Sequence, residues 1–204
     1  MIIKRFIAGQ LENNMYLIAD EASKKAVLID ASSNIPELID AAKDYDVEYI
    51  LLTHGHFDHI MGLTSLKKAL NAKAVICKDD LVISDNINEF TSLFGLPGVT
   101  PPTYEKYIKD GDVIKVGNLE IKVIQTPGHT EGGVCYLIDG NLFSGDTLFN
   151  GSVGRTDLFG GNFKKLSDSI NNKLFKLDEK TKVYPGHGDM TTIGYEKKYN
   201  DIRN

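Results

Sequence analysis

The chain has 204 residues, of which 42% are hydrophobic, so it can bury one substantial core and we expect a single domain over residues 1–204. Its 23 basic and 28 acidic residues give a net charge of −5 without any basic block, which argues against binding to nucleic acid or to an anionic membrane. These bulk properties favour a soluble protein with a small-molecule substrate. We expect a monomer or a homodimer, and the sequence does not distinguish between them.

The N-terminal segment and the cysteines favour the cytoplasm. In Met1–Ala8 the charges follow the apolar residues and no long apolar run is present, so neither a signal peptide nor a membrane span is predicted. Cys77 and Cys135 each lie in an apolar segment, and two cysteines in this length are too few for a disulfide scaffold. We expect both thiols to be buried and reduced.

Short strands dominate the first third of the predicted secondary structure. Apolar segments separated by turn residues, among them the pair Asn13-Asn14, predict strands at Met1–Ala8, Met15–Ala19 and Ala26–Ile29. Ile35–Lys43 is predicted to be helical, with Pro36 in its first turn. Glu48–Thr53 is almost entirely apolar, which predicts a strand covered on both faces.

The rest of the chain repeats this alternation. Apolar residues at helical spacing from Ile60 to Leu70 predict a helix with Asp58 or His59 at its N-terminus. The other predicted elements are a strand at Ala74–Cys77, a helical excursion at Leu81–Phe94, hairpins at Val113–Gln125 and Val134–Ser144, a helix at Phe163–Leu177, a strand at Val183-Tyr184 and a polar tail from Thr191. Two rounds of strands and helices favour two sheets packed face to face with helices outside both.

All five histidines follow predicted strands and lie beside glycine, proline or aspartate residues. Loops that follow the strands of a rigid sheet can bring distant residues to one point. We therefore predict a metal centre formed by seven residues: His54, His56, Asp58, His59, His129, Asp146 and His187.

Each of these residues alone has an ordinary structural interpretation, since a histidine can be a core hydrogen-bonding residue and Asp58 can cap a helix. Three imidazoles and a carboxylate within Thr53–His59 have no packing rationale, and this crowding favours metal ligation. His54 and His56 can bind one metal ion, and Asp58 and His59 are placed to bind a second ion. The ligand types fit two divalent metal ions, zinc first and iron or manganese as alternatives. Such a pair can hold a shared water as hydroxide near neutral pH.

At these residues the sequence resembles the metallo-β-lactamase fold superfamily over almost its whole length. The resemblance implies an α/β (α+β) fold, a four-layer αββα sandwich with a dinuclear site at one edge of its two sheets. It also implies that His54, His56 and His129 bind the first metal. Asp58, His59 and His187 would bind the second, with Asp146 between them.

Two positions narrow the resemblance within the superfamily. The β-lactamases of this fold lack the aspartate at the position of Asp146, and the flavin-linked diiron oxidases have glutamate at the position of His56. Thr126–Thr130, Ser144–Phe149 and Gly154-Arg155 resemble the glyoxalase II group of thioester hydrolases. Gly186-His187-Gly188 and Thr191–Lys197 resemble its short subfamily. This implies hydrolysis of a thioester such as S-D-lactoylglutathione by a metal-bridging hydroxide. Asp58 would be catalytic by orienting that hydroxide.

The sequence departs from the long forms of that group where they hold glutathione. They have an additional C-terminal helical region, for which the chain leaves no room after His187, and a lysine and a tyrosine at the positions of Arg155 and Asp157. Arg155 is our candidate for binding a substrate carboxylate in bidentate fashion, and the alternative is an internal ion pair with Asp157. The glutathione assignment therefore has less support than the hydrolase assignment.

Three other functions remain open at this point. A persulfide dioxygenase would use one iron, held by His54, His129 and Asp146, so that metal count and oxygen uptake distinguish it from a hydrolase. Hydrolysis of a lactone or of another ester would use the same ligands. A non-catalytic binding module would be expected to have lost ligands, and this chain has all seven.

Overall fold

Two six-stranded β-sheets form the framework of the protein, in a computed structural model that describes residues 1–202. In spatial order the first sheet contains β1 (Ile2–Ala8), β2 (Asn13–Asp20), β3 (Lys25–Ile29), β4 (Asp46–Leu51), β5 (Lys73–Cys77) and β6 (Lys106–Ile108). The second contains β14 (Thr191–Thr192), β13 (Lys182–Pro185), β10 (Asn141–Gly145), β9 (Val134–Ile138), β8 (Leu119–Gln125) and β7 (Val113–Val116). Arg203 and Asn204, which belong to the predicted domain, lie outside the described residues, and the domain assignment stays a prediction.

Helices flank each sheet, and a small two-stranded hairpin belongs to neither of them. The chain segments that connect the strands of the first sheet contain five helices: α1 (Pro36–Ala42), α2 (Phe57–Ile60), α3 (Leu63–Leu70), α4 (Leu81–Ser84) and α5 (Ile87–Leu93). The second is accompanied by α6 (Phe163–Asn172) and α7 (Ile193–Tyr199). The hairpin pairs β11 (Leu148–Phe149) with β12 (Ser152–Val153). Within residues 1–202, every helix is too short or too polar to cross a bilayer.

Side-chain alternation along the strands produces the layers. In β2, Tyr16 and Ile18 join the apolar cluster between the two sheets, whereas Met15 and Leu17 join the cluster beneath α1 to α5. A third cluster packs the outer face of the second sheet against α6 and α7. Apolar residues on both faces of a sheet require cover on both sides. The predicted four-layer αββα sandwich is confirmed.

Most predicted strands are confirmed with small shifts of their ends, including both hairpins. The prediction of a single helix from Ile60 to Leu70 is wrong, because the helical conformation is interrupted at Gly62, between α2 and α3. Gly62 N donates to Ala31 O at 2.8 Å, and a Cβ at Gly62 would lie 2.8 Å from Ser33 Cα. This close approach of two backbones interrupts the helix and fixes α2 against the end of β3.

Other predicted helices are also divided or shortened. The helical excursion at 81–94 consists of α4 and α5 with a break at Asp85-Asn86, and α6 ends at Asn172 before a 3₁₀ turn at Leu174–Lys176. The tail from Thr191, which the sequence analysis described only as polar, forms β14 and α7. The buried residues of α7 are Ile193 and Glu196, and a single buried apolar residue in a helix is too weak a pattern to predict it.

Both cysteines are buried and unpaired, which confirms their predicted burial. Burial raises the pKa of the Cys77 and Cys135 thiols to about 11. At neutral pH these groups therefore remain protonated and have little nucleophilic character.

Phe143 offers a direct test of the core between the sheets. Its ring is fully buried and packs 5.2 Å from the Tyr16 ring and 5.0 Å from the Tyr184 ring, measured between centroids. Phe143→Ala should lower the free energy of unfolding by about 3–5 kcal/mol in urea denaturation. Phe163→Ala is the matched control, because Phe163 is 60% exposed and its loss should cost within about 0.5 kcal/mol. Equal losses from the two variants would contradict this assignment of the core.

Candidate metal centre

The ends of strands from both sheets meet at one edge of the sandwich and bring the seven predicted ligands together. His54 and His56 lie in the loop after β4, and Asp58 and His59 lie in α2, which starts directly after that loop. The second sheet supplies the other three ligands from the loops after β8, β10 and β13: His129, Asp146 and His187. The site therefore depends on the packing of one sheet against the other.

The ligand atoms form three overlapping groups, each with its atoms within 4.8 Å of one another. One contains His54, His56 and His129, and another contains Asp58, His59 and His187. The third joins Asp146 to His54 and His59, one residue from each of the other groups. This arrangement matches the predicted division into two ion sites with a shared carboxylate.

Asp146 lies between the two groups, and both of its carboxylate oxygens lie near imidazole nitrogens. Its Oδ1 is 3.3 Å from His59 Nε2, and its Oδ2 is 3.6 Å from His129 Nε2 and 3.5 Å from His187 Nε2. A bridging carboxylate must reach both ions. The carboxylate of Asp146 lies within 3.6 Å of imidazole nitrogens from both groups and meets that requirement.

Three buried ligand atoms have no hydrogen-bond partner: His54 Nε2, His59 Nε2 and Asp146 Oδ1. Buried polar atoms are normally paired, and an unpaired one costs free energy. Because all three belong to the overlapping ligand groups, a cation within those groups would satisfy them together. These residues therefore fit divalent metal ions.

The imidazole nitrogens that face away from the cluster are held by hydrogen bonds. These contacts join His129 Nδ1 to Arg155 O at 2.7 Å, His187 Nδ1 to Leu11 O at 2.9 Å, His59 Nδ1 to Asp30 Oδ2 at 2.8 Å and His54 Nδ1 to Thr53 Oγ1 at 3.0 Å. With Nδ1 engaged as a donor, each ring has its Nε2 lone pair directed to the cluster. Metal-binding histidines typically have this arrangement.

His56 differs from the other imidazoles because its Nδ1 faces inward, 2.9 Å from His129 Nε2. Burial, followed by the neighbouring His129, lowers the pKa of His56 to about 3. Burial and the surrounding imidazoles also lower the pKa of His54 well below its usual value. Both rings are therefore neutral at physiological pH, as metal ligands must be.

The second ligand group is rich in negative charge. Burial opposes ionisation of Asp58, but His59 and the contact with His187 outweigh it and lower the pKa of that carboxyl. Burial likewise disfavours protonation of His59, yet Asp146, Asp58 and Asp30 outweigh it and raise the pKa of the ring. Three carboxylates around one imidazole attract positive charge, which a divalent cation would supply in place of the proton.

Comparison with known proteins agrees with this geometry. The family model of the metallo-beta-lactamase superfamily matches residues 8–187. The chain belongs to the metallo-β-lactamase superfamily. The protein is a metallo-hydrolase of that superfamily, and its seven converging residues could hold the metal.

Individual members of the superfamily resemble the chain over its whole length. A hydroxyacylglutathione hydrolase, GloC of Haemophilus influenzae, is 31% identical over 199 residues, which are 95% of this chain and 93% of that protein. The crystal structure of BLEG-1, described as a B3 metallo-beta-lactamase, is 33% identical with a TM-score of 0.91 and covers 98% of this chain and 99% of its own. TTHA1623, solved in a di-iron-bound form, is 32% identical with a TM-score of 0.88, covering 98% and 99%.

Asp30 supports this superfamily site, although the sequence analysis did not single it out. It follows β3 and accepts hydrogen bonds from His59 Nδ1 and from the backbone and hydroxyl of Thr53. Asp30 adopts the left-handed conformation with φ +59°, which directs its buried carboxylate back towards the neighbouring loop. The sequence signal was a lone aspartate directly after an apolar strand, at the same sheet edge as the histidines.

Asp80 is a second supporting carboxylate that the sequence analysis missed. It accepts hydrogen bonds from Gly55 N at 2.8 Å, Gly132 N at 2.6 Å and Thr130 Oγ1 at 2.8 Å. Burial raises the pKa of this carboxyl, against the opposite effect of the three hydrogen bonds. Asp80 thereby joins the loop that carries His54 and His56 to the loop that follows His129.

Asn13 was predicted to lie in a turn, and this prediction is wrong. It is the first residue of β2 and is fully buried. Its Nδ2 donates to Asp58 Oδ2 at 2.8 Å and lies 3.3 Å from His187 Nε2. Asn13 therefore orients two of the proposed ligands.

Arg155 contributes to the site through its backbone, whose carbonyl oxygen accepts from His129 Nδ1. Its exposed guanidinium forms two 2.7 Å hydrogen bonds with the Asp157 carboxylate, the internal pair that the sequence analysis gave as the alternative. The hydrogen bond from Arg155 lowers the pKa of Asp157 to about 2. Binding of a substrate carboxylate by Arg155 stays a prediction.

The role of Asp80 generates a test of the first ligand group. Asp80→Asn keeps one acceptor oxygen but replaces the other with a donor, which opposes the N–H group of either Gly55 or Gly132. We expect metal affinity to fall about 10- to 100-fold in competition with a chelator, the range typical of changes behind metal ligands. Asp79→Asn is the matched control, since Asp79 is the exposed neighbour of Asp80. Unchanged affinity in folded Asp80→Asn protein would refute the role of Asp80.

Proposed function

We propose that the protein is a thioester hydrolase that uses two divalent cations held by the seven converging residues. The observation that carries the proposal is the position of Asp146, whose carboxylate lies within 3.6 Å of imidazole nitrogens from both ligand groups. The likeness to GloC over almost the whole of both chains supports a thioester as the substrate class. The likeness to TTHA1623 in its di-iron-bound form supports two cations, and makes iron a candidate beside zinc and manganese.

The chain's own residues would prepare the substrate and the attacking water for this reaction. When bound, two divalent cations would lower the pKa of a water held between them and polarise the acyl oxygen. Asp58 is partly exposed and is held by Asn13, so its carboxylate can orient the water by accepting a hydrogen bond. A thiolate leaves without strong general-acid assistance. This suits a site in which all five histidines are assigned to ligation.

β-Lactam hydrolysis is the second candidate, because the BLEG-1 structure is very similar and is described as a metallo-beta-lactamase. Both reactions require attack of water on an acyl carbon and stabilisation of the resulting oxyanion. The two functions differ in the leaving group, a thiolate in one case and a ring amide nitrogen in the other. Parallel assays with a thioester and with a β-lactam therefore distinguish them.

Metal content and thioester hydrolysis together test the proposed function. We expect two metal ions per chain by elemental analysis, release of thiol from S-D-lactoylglutathione or a related thioester, and much slower hydrolysis of a β-lactam. Asp146→Ala should lose metal and should reduce kcat/KM by more than about 100-fold. That is the upper end of the loss typical when a residue that hydrogen-bonds to a metal ligand is replaced. The exposed Asp168→Ala is the control and should retain both properties.

Three results would overturn the proposed function. A single bound iron with oxygen uptake would favour the persulfide dioxygenase instead. Faster hydrolysis of a β-lactam than of any thioester would favour the second candidate. Full metal content and activity in Asp146→Ala would eliminate the bridging role.

The Arg155–Asp157 pair allows a separate test of how the thiol half of the substrate is bound. If Arg155 binds a carboxylate of the thiol, Arg155→Ala should raise KM about tenfold for a glutathione thioester, the effect of losing one charge-assisted interaction. Asp157→Ala should lower KM, because it frees the guanidinium from its internal partner. Neither variant should affect a thioester of an uncharged thiol. Equal kinetics for the two variants with both thioesters would exclude Arg155 as a substrate ligand.

A further inference from the structure

Glu196, in the middle of α7, is a fully buried acidic residue outside the ligand cluster. Its side chain accepts three hydrogen bonds, from Gly151 N at 3.0 Å, Thr191 Oγ1 at 2.6 Å and Asn200 Nδ2 at 2.8 Å. All three donors are neutral, and neutral donors offset the cost of burying a carboxylate less fully than a cation would. A buried carboxylate at this position therefore indicates a specific structural requirement.

Two of these donors belong to chain segments that follow metal ligands. Gly151 lies at the tip of the β11–β12 hairpin, which comes directly after Asp146. Thr191 lies in β14, the strand that follows the loop of His187. The carboxylate of Glu196 therefore joins the segment after one ligand to the segment after another, although it contacts neither ligand itself.

Asn200, the residue directly after α7, adds a second contact to the same hairpin. Its Nδ2 donates to Ser152 O at 3.0 Å as well as to Glu196, and its Oδ1 accepts from Ile202 N at 3.0 Å. The side chain is buried, and both ends of its amide are engaged, which fixes the orientation of the group. The tip of the hairpin is thus held at one N–H group and at one carbonyl group.

The position of the hairpin affects two metal ligands through the residues that follow β12. A Cβ at Gly154 would collide with Asp146 O and would lie 3.1 Å from His129 Nδ1, so the backbone passes directly against both ligands at this point. The next residue, Arg155, accepts a hydrogen bond from His129 Nδ1 at 2.7 Å. A displacement of the hairpin would therefore move the acceptor that orients the His129 ring.

The hairpin also contacts the second ligand group. Phe149, in β11, packs edge-on against the ring of His187, with 6.2 Å between the ring centroids. The hairpin and the residue after it consequently contact His129 from the first group and His187 from the second, and Asp146 lies at the start of the same segment.

We propose that Glu196 and Asn200 are positioning residues of the metal centre. They hold the β11–β12 hairpin against α7, and the hairpin in turn keeps the Arg155 carbonyl and Gly154 in place beside His129 and Asp146. The proposal rests on the metal centre of the proposed function and is independent of the substrate that the centre acts on.

The same role accounts for the segment Thr191–Lys197, which the sequence analysis identified only by resemblance. The Thr192 side chain caps the N-terminus of α7, and Ile193 is fully buried against the second sheet. Gly194 N donates to Glu179 O at 2.9 Å, where a Cβ at Gly194 would crowd the same oxygen. These contacts fix α7, so that Glu196 reaches the hairpin from a rigid support.

Glu196→Leu tests the proposal, because leucine has a similar size but cannot accept a hydrogen bond. Gly151 N and Thr191 Oγ1 would lose their acceptor, and the hairpin should move away from α7. We expect the zinc affinity of the full chain, measured by competition with a chelator, to fall about 10- to 100-fold, the range typical of changes behind metal ligands. In cobalt-substituted protein the visible absorption bands should shift, because they report the arrangement of ligands around the cobalt ion.

Glu196→Gln is the conservative variant that should rescue both properties. Its side-chain oxygen can accept from Gly151 N and Asn200 Nδ2, and its amide nitrogen can donate to Thr191 Oγ1. We expect the zinc affinity and the cobalt spectrum of the unsubstituted protein. Lys198→Ala, an exposed change on the same helix, is the matched control and should behave in the same way.

Ile138→Ala separates positioning from a general loss of stability. Ile138 is buried between the sheets at the end of β9 that pairs with the start of β10, away from Asp146. The cavity left by this change should lower Tm. It should leave the zinc affinity and the cobalt spectrum unchanged.

Three results would overturn the positioning role: an unchanged zinc affinity and cobalt spectrum in folded Glu196→Leu, an equal loss in Glu196→Gln, or an equal loss in Ile138→Ala. These measurements require no substrate. Absence of hydrolysis of every thioester would therefore overturn the proposed function, while a difference between the leucine and glutamine variants would still support the role of Glu196.

Discussion

Crowding of buried imidazole and carboxylate groups at the edge of two sheets is the constraint on which the rest of the structure depends. Desolvated polar groups cost free energy unless they are paired, and the ligand cluster leaves three of its atoms unpaired. The outward-facing Nδ1 atoms of His59, His129 and His187 are instead held by hydrogen bonds to the surrounding loops. These hydrogen bonds therefore orient the ligand atoms towards the space where cations would lie.

The sandwich makes this arrangement rigid, because ligands from the first sheet must meet ligands from the second. Two buried carboxylates provide local links between their loops. Asp30 connects the end of β3 to Thr53 and His59, and Asp80 connects the loops that flank β4 and β8. The aromatic contact between Tyr16 and Phe143 joins the sheets themselves. Packing, loop geometry and metal chemistry are thus coupled, and a change in any of them alters the distances among the ligands.

The sequence was sufficient to predict the layers and the ligand set, and the reasons are physical. Alternating or continuous apolar segments report burial directly, so strands such as β3, β5 and β8 could be located closely. The histidines were recognisable because three of them lie within six residues of chain with Asp58. Asp30, Asp80 and Asn13 were missed because each resembles an ordinary turn residue, and its role depends on partners far away in sequence. The three residues of β6 are too few to establish a periodicity, and α7 contains a single buried apolar residue. The number and identity of the metal ions stay predictions, as does the contact of Arg155 with substrate.

The most direct test of the central claim is anomalous X-ray diffraction from crystals of the metal-loaded protein, recorded at the absorption edge of the bound metal. The account predicts two anomalous peaks about 3.5–4 Å apart, the spacing typical of two-metal sites. One peak should contact His54, His56 and His129, the other Asp58, His59 and His187, and Asp146 should contact both. A single peak, or two peaks that leave Asp146 bound to only one ion, would contradict it.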